Sequence, residues 1–292
     1  MLNGVINLNK NSEMSSNKAL CILKKTLFQN NIITKIGHFG TLDPIAEGVL
    51  PVALGRATRL FDYTLDKIKI YRATFVFGVE TDTLDRTGKV VRQDEKTVSE
   101  EELVAVCSRI GGYVLQTPPL YSAKSVGGVR AYDLARKGLD FELSPKKVYI
   151  ESVKVLSQCA PNEFELEIVC GGGTYIRSIA RDVAAELGTV GIMTSLVRTA
   201  SGPFTIENSV TLEELSENPY SCILPMDIFL RDFPCVEVSR QQTQRMLNGL
   251  EISLNEADIK GKNVLVCVRD EDGIAGIAVN NGNLLKMKTW LK

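Results

Sequence analysis

Alternating hydrophobic and polar side chains predict several strands along the chain. The segment KIYRATFVFGV, which begins at Lys69, alternates regularly and has its aromatic residues on one face, as a half-buried strand does. EFELEIVC at 163–170 alternates in the same way, so we expect its three glutamates to face solvent. The apolar runs GVINL at 4–8 and VLPVAL at 49–54 predict two further strands.

Helices are predicted where an apolar period of about 3.6 residues follows a capping residue. Residues 174–187 carry one apolar stripe behind a run of three glycines, and Thr174 is the expected N-cap. Another helix is expected to begin at Ser15 or Ser16. Capping boxes predict three more helices and pair Ser99 with Glu102, Thr211 with Glu214, and Ser239 with Gln242.

The stretches between these elements are less regular. We expect helices over 55–65 and over AYDLARKG at 131–138, and an end at Gly111 for the helix that follows Ser99. Residues 112–130 are rich in Pro, Gly and Ser, which favours a loop.

Strands and helices mix without a regular βαβ rhythm, so the predicted fold class is α+β. A charged stretch with a proline, FLRDFPCV, predicts a boundary between a main domain at 1–232 and a small unit at 233–292. Beyond it, NVLVCVR, GIAGIAV and LLKMKTWL predict strands joined by turns rich in Asp, Gly and Asn.

Composition narrows the function classes. The net charge of −1 argues against indiscriminate binding of polyanions but allows one basic face. Apolar stretches are too short for a transmembrane helix, and the N-terminus lacks the pattern of a secretory signal. Seven scattered cysteines and a single histidine argue against a metal site built from these residues. We therefore expect a cytoplasmic protein without a metal.

The segment GHFGTLDPIAEGVLP at 37–51 holds that single histidine, His38, five residues before an Asp-Pro pair. Pro44 restricts the backbone of Asp43 to extended conformations and so fixes where its carboxylate points. The same pair is also a common helix start, with Asp43 as N-cap and Pro44 in the first turn. The residues alone leave both interpretations open.

Arg177 lies in the first turn of the helix predicted at 174–187, where the helix dipole disfavours a cation. We expect an anionic partner for it, either a phosphate or a carboxylate, although a surface arginine would tolerate the small penalty. Tyr71 lies beside a basic run and could stack on a base, although an aromatic on this face is usually core. Residues 56–72 and 124–147 are locally basic, as a face that follows a phosphate backbone would be.

Five motifs of the chain occur in a characteristic order and spacing: GHFGTLDPIAEGVLP, KIYRA, PPLYSAKSVGGVRAYDLARKG, GGGTYIRSIARDVAAELG and LVRTASGPF. Together they resemble the bacterial tRNA pseudouridine-55 synthases, the TruB family, over roughly residues 4–230. The resemblance implies a mixed, mainly antiparallel sheet flanked by helices, followed by a small PUA-like β-rich domain. It also implies a cofactor-independent isomerase that flips uridine 55 out of the T arm of tRNA and converts it from an N- to a C-glycoside.

The resemblance assigns roles to individual residues. It makes Asp43 the nucleophile and Arg177 the residue that orients its carboxylate. Tyr71 corresponds to the tyrosine that stacks on the target base, Tyr175 to a second tyrosine of the pocket, and Leu196 to an apolar residue beneath it.

The RNA-binding residues are assigned in the same way. His38 corresponds to the histidine that occupies the space left by the flipped bases. Further contacts to RNA are expected from Gly40, Lys10, Lys124 and Arg130.

The chain departs from the usual family pattern at six positions, which are Asn11, Glu13, Phe39, Glu47, Ser125 and Val197. Phe39 replaces a threonine and is expected to alter how His38 enters the RNA. Glu47, Ser125 and Val197 are expected to remove positive potential. None of the six changes Asp43 or Arg177.

Two other functions compete with the isomerase. One is a tRNA-binding or folding factor without turnover, which the intact set of Asp43, Tyr71 and Arg177 argues against. The other is a nucleoside or base hydrolase, which would need general-acid or metal-binding residues that are few in this chain. We expect a monomer that binds the T arm of tRNA without an obligate protein partner.

Overall fold

The computed structural model of the chain describes residues 2–64, 67–122, 124–253, 262–282 and 284–292. Up to residue 136 it contains strands β1 (Gly4–Lys10), β2 (Ile36–His38), β3 (Glu47–Leu54), β4 (Lys69–Phe77), β5 (Val79–Thr81), β6 (Val90–Gln93), β7 (Gly112–Gln116), β8 (Ser125–Val126) and β9 (Val129–Arg130) and helices α1 (Ser16–Gln29), α2 (Glu100–Cys107) and α3 (Ala131–Arg136). A 3₁₀ helix spans Gly55–Tyr63.

The remainder contains strands β10 (Lys146–Ala160), β11 (Glu163–Cys170), β12 (Gly191–Ser201), β13 (Phe204–Thr205), β14 (Cys235–Glu237), β15 (Ile252–Ser253), β16 (Lys262–Asp270), β17 (Gly273–Asn281) and β18 (Leu284–Trp290). Its helices are α4 (Ile176–Glu186), α5 (Leu212–Glu217) and α6 (Arg240–Leu247), with 3₁₀ helices at Ile206–Asn208 and Met226–Leu230.

One large sheet runs in the order β1-β3-β12-β4-β11-β10-β7, with β2 beside β3 and β13 beside β12. Its pairs are antiparallel except for a short parallel contact between β3 and β12, where Gly48 lies opposite Arg198. The buried side chains of helices α1, α2 and α4 pack with those of the sheet in one apolar cluster, the main core. The expected α+β class, with a mixed and mainly antiparallel sheet, is confirmed.

Hydrophobic and polar residues alternate in β4 and β11, so the hydrophobic face of each strand packs in the main core. Phe164, Leu166 and Ile168 are fully buried and lie opposite Phe75, Ala73 and Tyr71, respectively. The three glutamates of β11 are half-buried, whereas we expected them to be exposed. β11 lies between β4 and β10, so each glutamate has cross-strand neighbours on both sides.

The predicted helix starts are confirmed for the most part. Ser15 caps α1, and capping boxes open α2, α5 and α6. Helix α2 ends at Cys107, before the expected stop at Gly111. The segment predicted as a helix over 55–65 is a 3₁₀ helix, and residue 65 lies outside the described residues.

Strand β10, with 15 residues, was not predicted. Its pairing with β11 shifts register at three places. Each shift breaks the period of two on which strand prediction depends. Strand β7, within the segment predicted as a loop, pairs with β10 at the edge of the sheet.

The C-terminal strands form a second sheet in the order β14-β16-β17-β18-β15. It packs on the first sheet through an apolar cluster, the second core, to which Phe39 and Phe229 contribute from one side and Cys267, Ile277 and Leu291 from the other. Two hydrogen bonds reinforce this contact, from the Arg59 guanidinium to the Trp290 carbonyl (2.7 Å) and between the hydroxyls of Tyr63 and Thr289 (2.6 Å). The domain boundary at 232/233 stays a prediction.

Gly48 permits the parallel contact between β3 and β12. Its φ of +95° is unfavourable for residues with a side chain. A Cβ at this position would lie 2.4 Å from the carbonyl oxygen of Arg198. The two strands can therefore approach only because this residue is a glycine.

We expect Gly48→Ala to reduce the free energy of unfolding by about 3 kcal/mol, because it combines backbone strain with displacement of a neighbouring strand. Gly112→Ala is the matched control, since Gly112 has a φ of +80° but no atom within 4 Å of the added Cβ. It should cost only about 1 kcal/mol, the strain alone. Urea denaturation measures both, and equal losses would contradict the argument.

Candidate active site

Asp43 lies in the loop between β2 and β3, which we call the Asp43 loop (residues 39–46). The chain turns at Pro44, where the amide of Ala46 donates to the carbonyl of Asp43 (3.1 Å), and it enters β3 at Glu47. The alternative in which Asp43 caps a helix is therefore wrong. The turn leaves the Asp43 side chain one-third exposed.

Hydrogen bonds from both sides hold the Asp43 loop. The amide of Leu42 donates to the Ser16 hydroxyl, which donates to the carbonyl of Leu42 (2.9 Å each). The amide of Phe39 donates to the carbonyl of Pro51 (2.8 Å). The loop therefore has little freedom to move relative to α1 and β3.

The ammonium of Lys10 ties the same loop to the end of β1. It donates to the carbonyls of Asn11 (2.8 Å), Met14 (2.6 Å) and Pro44 (3.5 Å). Lys10 is fully buried, so its expected contact with RNA is not what the structure shows. Burial lowers the pKa of Lys10 from 10.5 to about 8.

Helix α4 brings Arg177 to the loop. Its N-cap is Tyr175 rather than Thr174, so Arg177 is the second residue of the helix. The hydroxyl of Thr174 donates backwards to the carbonyl of Gly171 (3.0 Å). The Gln116 side chain accepts from the amide of Tyr175 (2.8 Å) and donates to its carbonyl (3.2 Å).

Arg177 and Asp43 form a two-pronged ion pair. The Arg177 Nε lies 2.8 Å from Oδ2 of Asp43, and its Nη2 donates to Oδ1 at 3.0 Å. Arg177 is 4% exposed, and its pairing with a carboxylate explains why the first turn of a helix accepts a cation here. Two parallel bonds fix the plane of the carboxylate as well as its position.

The remaining nitrogen–hydrogen groups of Arg177 also face oxygen atoms. Nη1 donates to the carbonyl of Thr83 (3.0 Å) and lies 3.6 Å from Oδ2 of Asp85, and Nη2 donates to the carbonyl of Tyr121 (3.2 Å). Arg177 therefore lies between two carboxylates, those of Asp43 and Asp85.

Asp85 is a site residue that the sequence analysis missed. It is buried, and its Oδ1 accepts from the hydroxyl of Thr83 (2.8 Å) and from the amide (2.9 Å) and hydroxyl (2.6 Å) of Thr87. The run TDTLDRTG, in which threonines flank Asp85, does indicate a hydrogen-bonded turn. Nothing in that run indicates Arg177 as a partner.

Tyr71 is nearly buried at the base of the site, opposite Arg198 on the neighbouring strand. Burial raises the pKa of Tyr71, and the positive charge of Arg198 opposes the rise. Arg198 is 1% exposed and donates from Nε to the carbonyl of Val49 (2.7 Å) and from Nη2 to that of Gly40 (3.0 Å). Arg198 was also missed, because a cation on a strand predicts a surface position.

Tyr175 and Leu196 complete the set of expected pocket residues. Tyr175 is half-buried, and burial raises the pKa of its phenol while the charge of Arg177 acts to lower it. Leu196 is buried, lies opposite Ala73 and belongs to the same core as Tyr71. The structure thus brings Asp43, Arg177 and both tyrosines to one end of the main sheet.

The expected RNA-binding residues differ in their surroundings. His38 is half-buried on β2, and burial together with the nearby Arg198 charge lowers its pKa below 6.5, so the imidazole is neutral at pH 7. Gly40, with a φ of +96°, lets the Arg198 guanidinium approach the backbone. Arg130 is exposed, and Lys124 is half-buried with a pKa lowered by burial and by the charge of Lys146.

The six departures from the family pattern lie in different environments. Phe39 is buried in the second core. Glu13 forms an ion pair with Arg86. Glu47 and Ser125 are exposed, Val197 is half-buried on β12, and Asn11 is exposed.

Family models match most of the chain. The model described as TruB family pseudouridylate synthase (N terminal domain) matches residues 25–176, and that described as tRNA pseudouridylate synthase B C-terminal domain matches residues 177–231. The protein is thus a pseudouridylate synthase by family. Specifically, the chain belongs to the TruB family, which confirms the resemblance seen in the motifs.

Curated relatives agree with this assignment, and a solved structure shares the fold. A protein named tRNA pseudouridine synthase B from Caldanaerobacter subterraneus subsp. tengcongensis is 39% identical over 289 residues, which cover 98% of each chain. One of the same name from Aquifex aeolicus is 40% identical over 261 residues, which cover 88% of this chain and 90% of the relative. In a crystal structure of a Cbf5-Nop10-Gar1 complex, one chain has a similar fold (TM-score 0.74, 23% identity) over 99% of this chain and 85% of its own length.

In the part of the chain that the structure describes, no helix is long and apolar enough to cross a membrane. Within the same residues, His, Cys, Asp and Glu side chains do not gather in a group of three or more that could hold a metal ion.

Asp85→Asn should reduce the free energy of unfolding by about 2 kcal/mol, because the new amide group would direct a donor at the Arg177 guanidinium in place of an acceptor. Asp82→Asn is the matched control in the same turn. Asp82 accepts from the amide of Lys89 (2.8 Å), which an asparagine oxygen can also do. Urea denaturation should separate the two variants, and an unchanged stability of Asp85→Asn would show that Asp85 contributes little to holding Arg177.

Lys10 predicts a rise of stability with pH. Between its folded pKa of about 8 and its ordinary value of 10.5, the unfolded chain still binds a proton that the folded chain has lost, so a higher pH favours the folded state. Relative to Lys10→Met, which lacks the titrating group, the free energy of unfolding of the wild type should rise by about 2 kcal/mol from pH 8 to pH 10. Urea denaturation of both proteins at each pH gives this difference, and a constant difference would exclude a lowered pKa.

Proposed function

We propose that the chain converts uridine 55 in the T arm of tRNA to pseudouridine, with Asp43 as the nucleophile. The observation that carries the proposal is the two-pronged pair between Arg177 and Asp43, whose carboxylate stays one-third exposed. A carboxylate that is charged, oriented and reachable from one side has the properties of a covalent catalyst.

The reaction is an isomerisation that needs no added atom. The bond between N1 of uracil and C1′ of ribose breaks, a bond between C5 and C1′ forms, the hydrogen on C5 leaves and N1 gains a proton. Asp43 attacks either C6 of the base or C1′ of the ribose. In both cases Arg177 keeps the carboxylate plane fixed while one oxygen forms the new bond.

Two tyrosines are suited to handling the base. The high pKa of Tyr71 keeps its phenol protonated at neutral pH, so its hydroxyl can donate a hydrogen bond and its ring can stack on uracil. Tyr175 and Leu196 form other parts of the same pocket. Asp85 acts as a positioning residue, since it contacts Arg177 and not the uridine.

The RNA-binding part of the proposal assigns His38 to the space left by the flipped nucleotide. Its lowered pKa makes it a neutral polar side chain that can enter a stack of bases without a net charge. Lys124 and Arg130 are proposed to bind phosphates. For Lys10 we propose a different role, that of holding Pro44 and therefore Asp43 in place.

The setting of the reaction follows from its substrate. We propose that the protein acts in the cytoplasm as a monomer, without a cofactor and without an obligate protein partner. The C-terminal unit at 233–292 is proposed to bind tRNA outside the T loop.

Asp43→Asn should abolish turnover while tRNA binding persists, because the amide keeps the shape of the carboxylate but is not a nucleophile. We expect the single-turnover rate on an unmodified tRNA transcript to fall by at least about 10³-fold. Release of tritium from C5 of labelled uridine measures the rate, and filter binding measures the affinity. Asp62→Asn is the control, since Asp62 is exposed on the 3₁₀ helix Gly55–Tyr63.

A transcript with cytidine at position 55 should give no product with any variant. Binding without product in the wild type would favour the tRNA-binding factor instead. Full activity of Asp43→Asn would exclude Asp43 as the nucleophile.

A further inference from the structure

The Asp43 loop connects two separate cores. Leu42 belongs to the main core, whereas Phe39 belongs to the second core, which the C-terminal sheet helps to form. His38, which is proposed to handle the RNA, immediately precedes Phe39. The two ends of one short segment are thus held by different parts of the protein.

Phe39 is held by aromatic contacts. It is 5% exposed, and its ring meets that of Phe229 edge-on at 4.8 Å between centroids. Phe61 stacks on it at 6.2 Å, and Phe204 meets Phe229 at 5.0 Å. Edge-on and stacked pairs at these distances add to the stability that burial alone provides.

The C-terminal sheet supplies part of this environment. Cys267, Ile277 and Leu291 are at most 1% exposed and belong to the same cluster as Phe39. The interior of a protein is close-packed, so a void in one part of a cluster shifts or loosens its neighbours. The placement of Phe39 therefore depends on side chains that lie more than 220 residues later in the chain.

We propose that the C-terminal sheet fixes the position of His38 through Phe39, which is a positioning residue for base flipping. As regards catalysis, this inference rests on the proposed function. The threonine common at this position in the family would not fill the space among Phe229, Phe61 and the C-terminal side chains. The phenylalanine thus gives this chain an apolar link between the C-terminal sheet and the edge of the site.

The other end of the loop is held independently. Leu42 exchanges hydrogen bonds with Ser16, and Pro44 accepts from Lys10, and these anchors belong to the main body. The backbone of His38 and Phe39 is also tied to β3, by the pairing of His38 with Val52 and by the bond from the Phe39 amide to the Pro51 carbonyl. Loosening the second core should therefore free the Phe39 side chain and weaken these backbone contacts, while Asp43 stays paired with Arg177.

Leu291→Ala tests the link in the full-length protein. It opens a cavity in the second core, whereas Leu285→Ala opens one in a third cluster of the C-terminal sheet, with Val266 and Met246. Both residues are buried leucines at most 1% exposed, so the two truncations are closely matched.

Amide hydrogen exchange of the free protein gives the first measurement. In Leu291→Ala the amide of Phe39 should exchange about tenfold faster, because local opening becomes easier, while the amide of Leu42 should keep its wild-type rate. Leu285→Ala should change neither. Equal exchange at Phe39 in both variants would overturn the proposal, and this test holds whether or not the protein is active.

Single-turnover kinetics at saturating tRNA give the second measurement. Leu291→Ala should lower the rate by about tenfold, with an affinity within about threefold of that of Leu285→Ala, and Leu285→Ala should leave the rate at saturating tRNA unchanged. If Leu291→Ala does not fold, Phe39→Leu takes its place and should show the same split between rate and affinity. A wild-type rate in Phe39→Leu, with unchanged exchange, would also overturn the link, whereas an inactive wild type would instead contradict the proposed function.

Discussion

Burial of the Arg177 guanidinium removes a full positive charge from water, and this is favourable only where oxygen atoms replace the water. Here two carboxylates and two backbone carbonyls do so, from Asp43, Asp85, Thr83 and Tyr121. They come from the Asp43 loop, from the turn after β5 and from the loop after β7. These segments must all be in place before the charge can leave water, so the requirement that orients Asp43 also specifies how the surrounding loops pack.

Two further buried cations, Lys10 and Arg198, flank the same loop, and both donate to backbone carbonyls. A carbonyl carries only a partial negative charge, so it stabilises a cation without cancelling it. The Arg198 charge accordingly acts to lower the pKa values of His38, Tyr71 and Lys10. Lys10 and Arg198 thus place two cations beside the loop, an arrangement that suits an anionic nucleophile and a polyanionic substrate alike.

Sequence patterns predict those parts of the fold in which local and global preferences agree. The strands β4 and β11 and the capping-box helices follow from periodicity and local hydrogen bonding. Strand β10 was missed because its bulges break the period, and the N-cap of α4 was placed one residue early because Gln116, distant in sequence, serves the helix start. The unusual position of Arg177 indicated an anionic partner, but Asp85 and Arg198 act only through tertiary contacts, which a single sequence does not reveal.

The parallel contact at Gly48 has a consequence for how the protein folds. Only two residue pairs join β3 to β12 there, and they bring together segments about 150 positions apart, a slow closure compared with a local hairpin such as that of β10 and β11. Asp43 lies just before β3, on one side of this parallel contact, and Tyr71 lies on β4, which pairs with β12 on the other side. The two halves of the site therefore meet only when β3 and β12 pair. A folding intermediate in which both halves have formed but these strands have not yet paired would have nearly all of its secondary structure and no active site.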